Sequence, residues 1–336
     1  MTTEGKAFET TRVFSPFVTQ VCKGVATLML LTHHLFYNSN TALYSESLHE
    51  FALKCKFCVA TFLMLSGAGI TLSQCTWKKT YIYRIPQMLL NYWFVGLVFV
   101  LIGIKFFGMT FEAAYPNGTG WTFWLQLFGV NWITSTGGFN PTWWFMDAII
   151  PLYFVAPIFY LLVKWNPIVI IMVAFVASLF PWDFHWWITP FAFGMVAASI
   201  NSFECFAGKK NAVIGLILCG ILLGVSYNYV TCYLLSYHFL LAFFLISFIC
   251  SLCVIVGNVS KIVFLPVAFI GRHTMNVFLM HTFFLIWYGS FFTSNKPYVT
   301  YPILLGASLI CSVLIEKGKK IICFGKLIEL LRGFAA

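Results

Sequence analysis

The sequence predicts an all-α polytopic membrane helix bundle of about ten transmembrane helices, with both termini on the cytoplasmic side. Three observations predict it. Only 9% of the 336 residues are charged and 60% are hydrophobic, whereas about a quarter of a soluble domain is charged. Such a chain could not cover its own surface in water. Apolar runs close to the roughly 20 residues needed to cross a bilayer recur along its whole length. Lysines and arginines cluster on alternate connections between those runs, as the positive-inside bias requires.

In chain order the runs are 20–37, 52–72, 85–107, 142–163, 166–181, 186–200, 211–227, 234–256, 274–292 and 299–316. The fifth and sixth are short and join through PWDFHWW (181–187), whose tryptophans suit a membrane interface. The longest connection, 108–141, is rich in Gly, Asn and Trp; within it WTFWLQLF (121–128) reads as an interfacial or re-entrant helix. With the N-terminus inside, only Lys54, Lys56, Lys105 and Lys296 of the 20 basic residues fall outside. An even number of spans then leaves both ends inside.

These boundaries divide the chain into a cytoplasmic tail (1–18), a membrane domain (19–317) and a second cytoplasmic tail (318–336). EKGKKIICFGKLIELLRGF (316–334) reads as a basic amphipathic helix on the inner leaflet. Residues 1–18 are polar and mixed, unlike a cleavable signal. The net charge of +10 belongs to the membrane pattern, so no nucleic-acid partner is expected. Most of the 11 cysteines lie inside apolar runs, as small hydrophobes. Cys55-x-x-Cys58 and Cys250-x-x-Cys253 lack a second pair, and no metal or disulfide is expected at either.

Ionisable residues within spans are costly and mark sites. In KGVATLMLLTHHLF (23–36) a cation opens the first run and two histidines close it. Lys23 and His34 are eleven residues apart, three helical turns plus about 20°, and therefore share one face; the rise between them is about 16.5 Å. His33 is turned about 100° away. A cation at the inner surface and an imidazole deep on the same stripe suit a long ligand with an anionic head and a reactive far end, the shape of coenzyme A. A neutral imidazole can take the proton of a hydroxyl that attacks a carbonyl.

The basic residue, ten intervening residues and histidine of this stretch resemble the signature of the acyltransferase-3 family of integral membrane acyltransferases, in its bacterial Lys-Gly, His-His form. Further segments resemble that family in order: FLMLSGAGI (62–70) with Ser66, Gly67 and Gly69; YRIPQMLLNYW (83–93) with Arg84 and Pro86; WWFMDAIIPLYFVAP (143–157) with Trp144, Tyr153 and Pro157; and GRHTMNVFLMH (271–281) with Gly271, Arg272, Thr274 and His281. The resemblance runs from about 15 to 317. Three features depart from it. Lys23 stands where most members carry Arg, which keeps the charge and loses the bidentate fork. Ile149 stands where some members carry a carboxylate, with Asp147 nearby. The esterase-like extra domain of some members is not expected here.

The resemblance implies a stand-alone membrane O-acyltransferase of a bacterial inner or plasma membrane. It would move an acyl group, with acetyl expected, from cytoplasmic acetyl-CoA as co-substrate to a hydroxyl of a surface or lipid-linked polysaccharide. No metal is expected, membrane lipid is the surroundings, and a homodimer is left open. His34 is the candidate general base, with Asp147 and His281 as further catalytic candidates; either of the adjacent histidines could be the base. Lys23, Arg84 and Arg272 are candidates for the phosphates, with Ser66 and Gly67 beside the thioester, although helix packing explains the small residues as well. His33, Trp144, Tyr153 and Asp183 are candidates for the acceptor. Asp147, the one carboxylate placed inside a span, is expected to pair with His34, His281 or a basic residue. No Ser or Cys beside a base points to a covalent intermediate, so direct transfer is expected. A transporter or flippase with an intramembrane His/Asp site is the alternative, and would show inverted repeats; a haem held by paired histidines is a third reading.

Overall fold

The computed structural model describes residues 12–37, 45–116, 120–131, 138–179, 185–229 and 238–335. These residues form helices and connections, with no strand among them. Each of the ten apolar runs coincides with a helix: α1 Pro16–Phe36, α2 Cys58–Leu72, α3 Ile85–Phe107, α4 Trp144–Trp165, α5 Pro167–Ser178, α6 His185–Ser199, α7 Lys209–Tyr229, α8 His238–Val256, α9 Thr274–Trp287 and α10 Pro297–Ile321. Six helical stretches are long and apolar enough to cross a membrane; Pro167–Ser178, Trp187–Ser199 and Thr274–Trp287 are apolar but shorter. The result is an all-α membrane helix bundle.

Local chemistry explains the helix ends. Ser15 caps α1, its side chain accepting from the Val18 amide, and Pro16 follows where a missing N–H costs nothing. Gly108, at φ 64°, closes α3 in the left-handed conformation that glycine tolerates. Before α3 the chain makes a π-helical turn over Lys79–Arg84. The 121–128 segment is indeed a short helix, Gly120–Leu127. The C-terminal segment divides into two helices: α10 ends at Ile321, Cys323 turns with φ 55°, and a separate amphipathic helix, Phe324–Ala335, returns to the π-helical turn, where Arg332 donates to the Tyr83 hydroxyl at 2.8 Å.

Two reciprocal glycine contacts set how closely the central helices approach. α1 meets the short helix Leu265–Arg272: a Cβ on Gly24 would lie 2.0 Å from the Val267 carbonyl oxygen, and one on Gly271 would lie 1.8 Å from that of Gln20. Likewise α2 meets α6, where a Cβ on Gly67 would lie 2.1 Å from the Phe191 oxygen and one on Gly194 would lie 2.1 Å from that of Met64. Both are close backbone approaches of the small-residue kind found between membrane helices.

α1 and α9 run in the same direction. The Thr27 and Thr274 hydroxyls are 2.8 Å apart, and the His34 and His281 ring centroids are 5.0 Å apart; both pairs are separated by 247 positions, so the helices stay in register for two turns. Parallel α1 and α9 are what the alternation of ten runs demands of the first and the ninth.

Candidate functional site

Built on this register, the site has two ends. At one end a cavity of about 450 Å³ opens between α1, α2, α3, α4 and the junction into α9. This is within the size range of ligand pockets. Lys23, Arg84 and Arg272 all line it, and no carboxylate does. The sole ion pair among the described residues, Lys319–Glu316, lies elsewhere. Three like charges around one cavity repel one another and favour an anionic occupant. The Gly24–Gly271 contact places two of them, since Lys23 and Arg272 are the chain neighbours of those glycines. Arg84 is held by α2: its guanidinium donates to the Ser73 hydroxyl, and to the Gly69 carbonyl at 3.5 Å.

The rest of the lining follows helix periodicity. Phe145, Ile149 and Tyr153 are spaced four apart on one face of α4, and Tyr83, Gln87 and Asn91 likewise on the π-turn and α3. The Asn91 side-chain oxygen is buried without a hydrogen-bond partner among the described residues, so an acceptor stands open in the cavity wall. Ser66 also lines the cavity, its hydroxyl donating to the Phe62 carbonyl at 2.8 Å.

At the other end of the stripe three imidazoles gather. His34 lies 5.0 Å, ring to ring, from both His33 and His281. His33 Nδ1 lies 2.8 Å from the Ala52 carbonyl and must carry its proton there. His281 is fully buried; its Nδ1 donates to the carbonyls of Val277 and Phe278, both at 3.0 Å. That leaves its Nε2 as an acceptor, 3.2 Å from the Thr282 hydroxyl. The chain continues through Thr142, 3.0 Å from Thr282, to Asn140, which donates to the Leu279 carbonyl. His34 is only half-buried, so it is the more accessible member of the close pair.

Several expectations need correction. Asp147 does not meet the histidines: its carboxylate accepts from the Asn131 amide at 3.2 Å, and it lies two residues from both Phe145 and Ile149, about 200° round the helix from the cavity face. Its neighbours are the tyrosines on the far side of α4, Tyr92 and Tyr115. Tyr115, outside the spans, keeps its proton because burial pushes its hydroxyl up, and it donates to the Gln126 side chain. Gly67 does not line the cavity but packs on α6. Tyr153 lies with the cations, whereas Trp144 stacks on Trp187 with centroids 5.5 Å apart. Nine residues of α4 separate the two, about 13.5 Å of rise, so they do not share one ligand group. Asp183 lies outside the described residues.

His34 and His281 are not among the cavity-lining residues. Phe278 connects the two regions: it lines the cavity, packs on Phe145 at 4.9 Å between centroids, and lies 6.3 Å from the His281 ring. Sequence reasoning missed Tyr83, Gln87, Asn91 and Phe278. The first three form a polar i, i+4, i+8 stripe in an apolar run, a signal that was there to find.

No curated protein and no solved structure matches the chain. The sequence profile described as an acyltransferase domain, that of the acyltransferase-3 family, matches residues 20–317. The match takes in the cationic cavity, the imidazoles and every helix between them. The chain belongs to the acyltransferase-3 family and is a membrane acyltransferase.

Proposed function

We propose that the protein transfers an acyl group, acetyl in the simplest case, from cytoplasmic acyl-coenzyme A to a hydroxyl of a surface or lipid-linked polysaccharide in a bacterial inner membrane. The observation that carries this reading is the cavity lined by Lys23, Arg84 and Arg272 without an acid, on a helix that presents His34 three turns further along. Phosphates suit the three cations. The phosphate-bearing head of the donor occupies the cavity, and its arm runs along the α1–α9 seam past Phe278 toward the imidazoles.

At the histidine end His34 Nε2 or Nδ1 takes the proton of the acceptor hydroxyl as its oxygen bonds to the thioester carbonyl carbon. The tetrahedral intermediate collapses, the carbon–sulfur bond breaks, and the coenzyme thiolate leaves and takes up a proton. His281 is a positioning residue: its Nδ1–H is committed to backbone carbonyls and its ring is inaccessible. Trp144, half-buried and stacked on the buried Trp187, offers a sugar an aromatic face.

The test is incubation of the purified protein with radiolabelled acetyl-coenzyme A and a polysaccharide or lipid-linked sugar. Label should pass to the glycan with wild type and not with His34→Ala, while both retain the donor. Undiminished transfer by His34→Ala overturns the base assignment; absence of donor binding in Arg84→Gln and wild type alike overturns the donor site.

A further inference from the structure

A second cavity, of about 340 Å³, lies on the other side of the π-helical turn. Lys79 and Lys164 line it, with Trp77, Tyr160, Pro157 and Leu161. No acidic residue contributes to it. Gln74, Cys75 and Thr76 complete the lining. The lysines come from the cytoplasmic ends of the π-turn and α4, where the positive-inside pattern puts the inner headgroup layer. Leu161 and Trp77 are exposed, at 56% and 48%. Leu161 lies one turn nearer the bilayer centre than the end of α4 at Trp165, and Trp165 itself is 77% exposed. Lys164 packs over the Tyr160 ring at 4.9 Å, and Trp77 stacks on Tyr81 at 5.6 Å, so aromatic surfaces brace the mouth.

We propose that this cavity binds the headgroup of an anionic phospholipid of the inner leaflet, with the phosphate between Lys79 and Lys164 and an acyl chain along Pro157 and Leu161. A free phosphate satisfies the lysines but leaves the apolar wall exposed; a zwitterionic lipid satisfies the wall but brings its own cation to the lysines. Only an anionic lipid matches both. The site and the donor cavity share two elements, the π-helical turn and α4. Lys79 and Arg84 are the two ends of the same π-helical turn, and Tyr81 between them donates to the Phe154 carbonyl of α4. π-helical turns of this kind concentrate at functional sites.

The measurement is lipid retention, which does not depend on acyl transfer, so it can fail or succeed independently of the proposed activity. The purified full chain is exchanged into nanodiscs of phosphatidylcholine containing a small fraction of labelled phosphatidylglycerol, then extracted and weighed by native mass spectrometry. Wild type should carry phosphatidylglycerol in preference to phosphatidylcholine. Lys79→Gln/Lys164→Gln should lose that preference by about 30-fold, at about 1 kcal/mol for each basic residue near an anionic surface. Lys79→Arg/Lys164→Arg should keep it, which shows that the fold survives changes at both positions. Lys261→Gln, a lysine outside the cavity, should leave it unchanged. Equal retention by wild type and the double Gln variant overturns the proposal. So does displacement of the lipid by millimolar inorganic phosphate, which would assign the lysines to a soluble anion.

Discussion

Replacing Gly24 by Ala adds a single methyl group and should disturb the site more than many larger changes would. The added Cβ would sit 2.0 Å from the Val267 carbonyl oxygen, 2.8 Å from the Val267 carbonyl carbon and 2.8 Å from its Cγ1. Two of these three atoms are backbone, so no rotamer change relieves the contact. Reaching even a tight 3.0 Å approach needs α1 and Leu265–Arg272 to separate by about an ångström, with a cost of about 1–3 kcal/mol for overpacking. Lys23 and Arg272 flank this contact and would part with it, and an ångström of misplacement in a site can cost about 10²-fold in rate. Thermal unfolding in detergent and steady-state kinetics with acyl-coenzyme A measure the two effects separately. Gly24→Ala should unfold at a lower temperature and show a raised KM for the donor. Gly69→Ala is the control: nothing lies within 4 Å of its added Cβ, and a helix gains about 0.5–1 kcal/mol from the exchange. If Gly24→Ala matches wild type in both measurements, the glycine contact does not hold the cations in place.

Arg84→Gln and Arg272→Gln should each raise the KM for acyl-coenzyme A by about 10–100-fold, the worth of a hydrogen bond to a charged group, with little change in kcat; Lys23→Arg should retain donor affinity, and a wild-type KM in both Gln variants would remove the donor from this cavity. His34→Ala should lower kcat by about 10²–10⁴-fold and abolish the acid limb of the pH–rate profile, whereas His281→Asn should displace that limb and leave it present; loss of the limb in both would make the two imidazoles one proton-accepting unit. Asp147→Asn, which keeps an acceptor for the Asn131 amide, should retain turnover within a few-fold, and Asp147→Leu should cost about 1–3 kcal/mol of stability measured by unfolding in detergent. Abolished turnover in Asp147→Asn would return the carboxylate to the chemistry.

Helices were the most legible feature of the sequence because a bilayer leaves backbone amides no partner but their own chain. All ten apolar runs are therefore helical in the described residues, including the two short ones around 166–200. The connection after α10 was harder. The basic residues from Glu316 onward suggested one surface helix, but Lys319 is buried: it donates to Glu316 at 2.7 Å and to Asn276 at 3.2 Å, so α10 continues past them to Ile321. Composition registered the charges there and not the partners that hold Lys319 inside the bundle, the Glu316 carboxylate on α10 itself and the Asn276 amide on α9.

The site was legible where it depends on one helix and obscure where it depends on several. The shared face of Lys23 and His34 follows from spacing on α1 alone, and helical geometry alone turns Asp147 away from Phe145 and Ile149. Gly67 shows the opposite case. Its place beside Ser66 invites a ligand role, but one residue of helix is about 100° of rotation, and that rotation carries position 67 from the cavity to the backbone of Phe191. Which of two adjacent residues meets the ligand is decided by the neighbour that occupies the other face. The same reasoning separates the cations from the imidazoles: Phe278 is one turn from both Thr274 at the cavity and His281 beyond it. Under the proposed function the donor arm has to pass that ring to bring its thioester to His34, and Phe278 with its partner Phe145 would then decide whether the two ends of the α1 stripe act as one site.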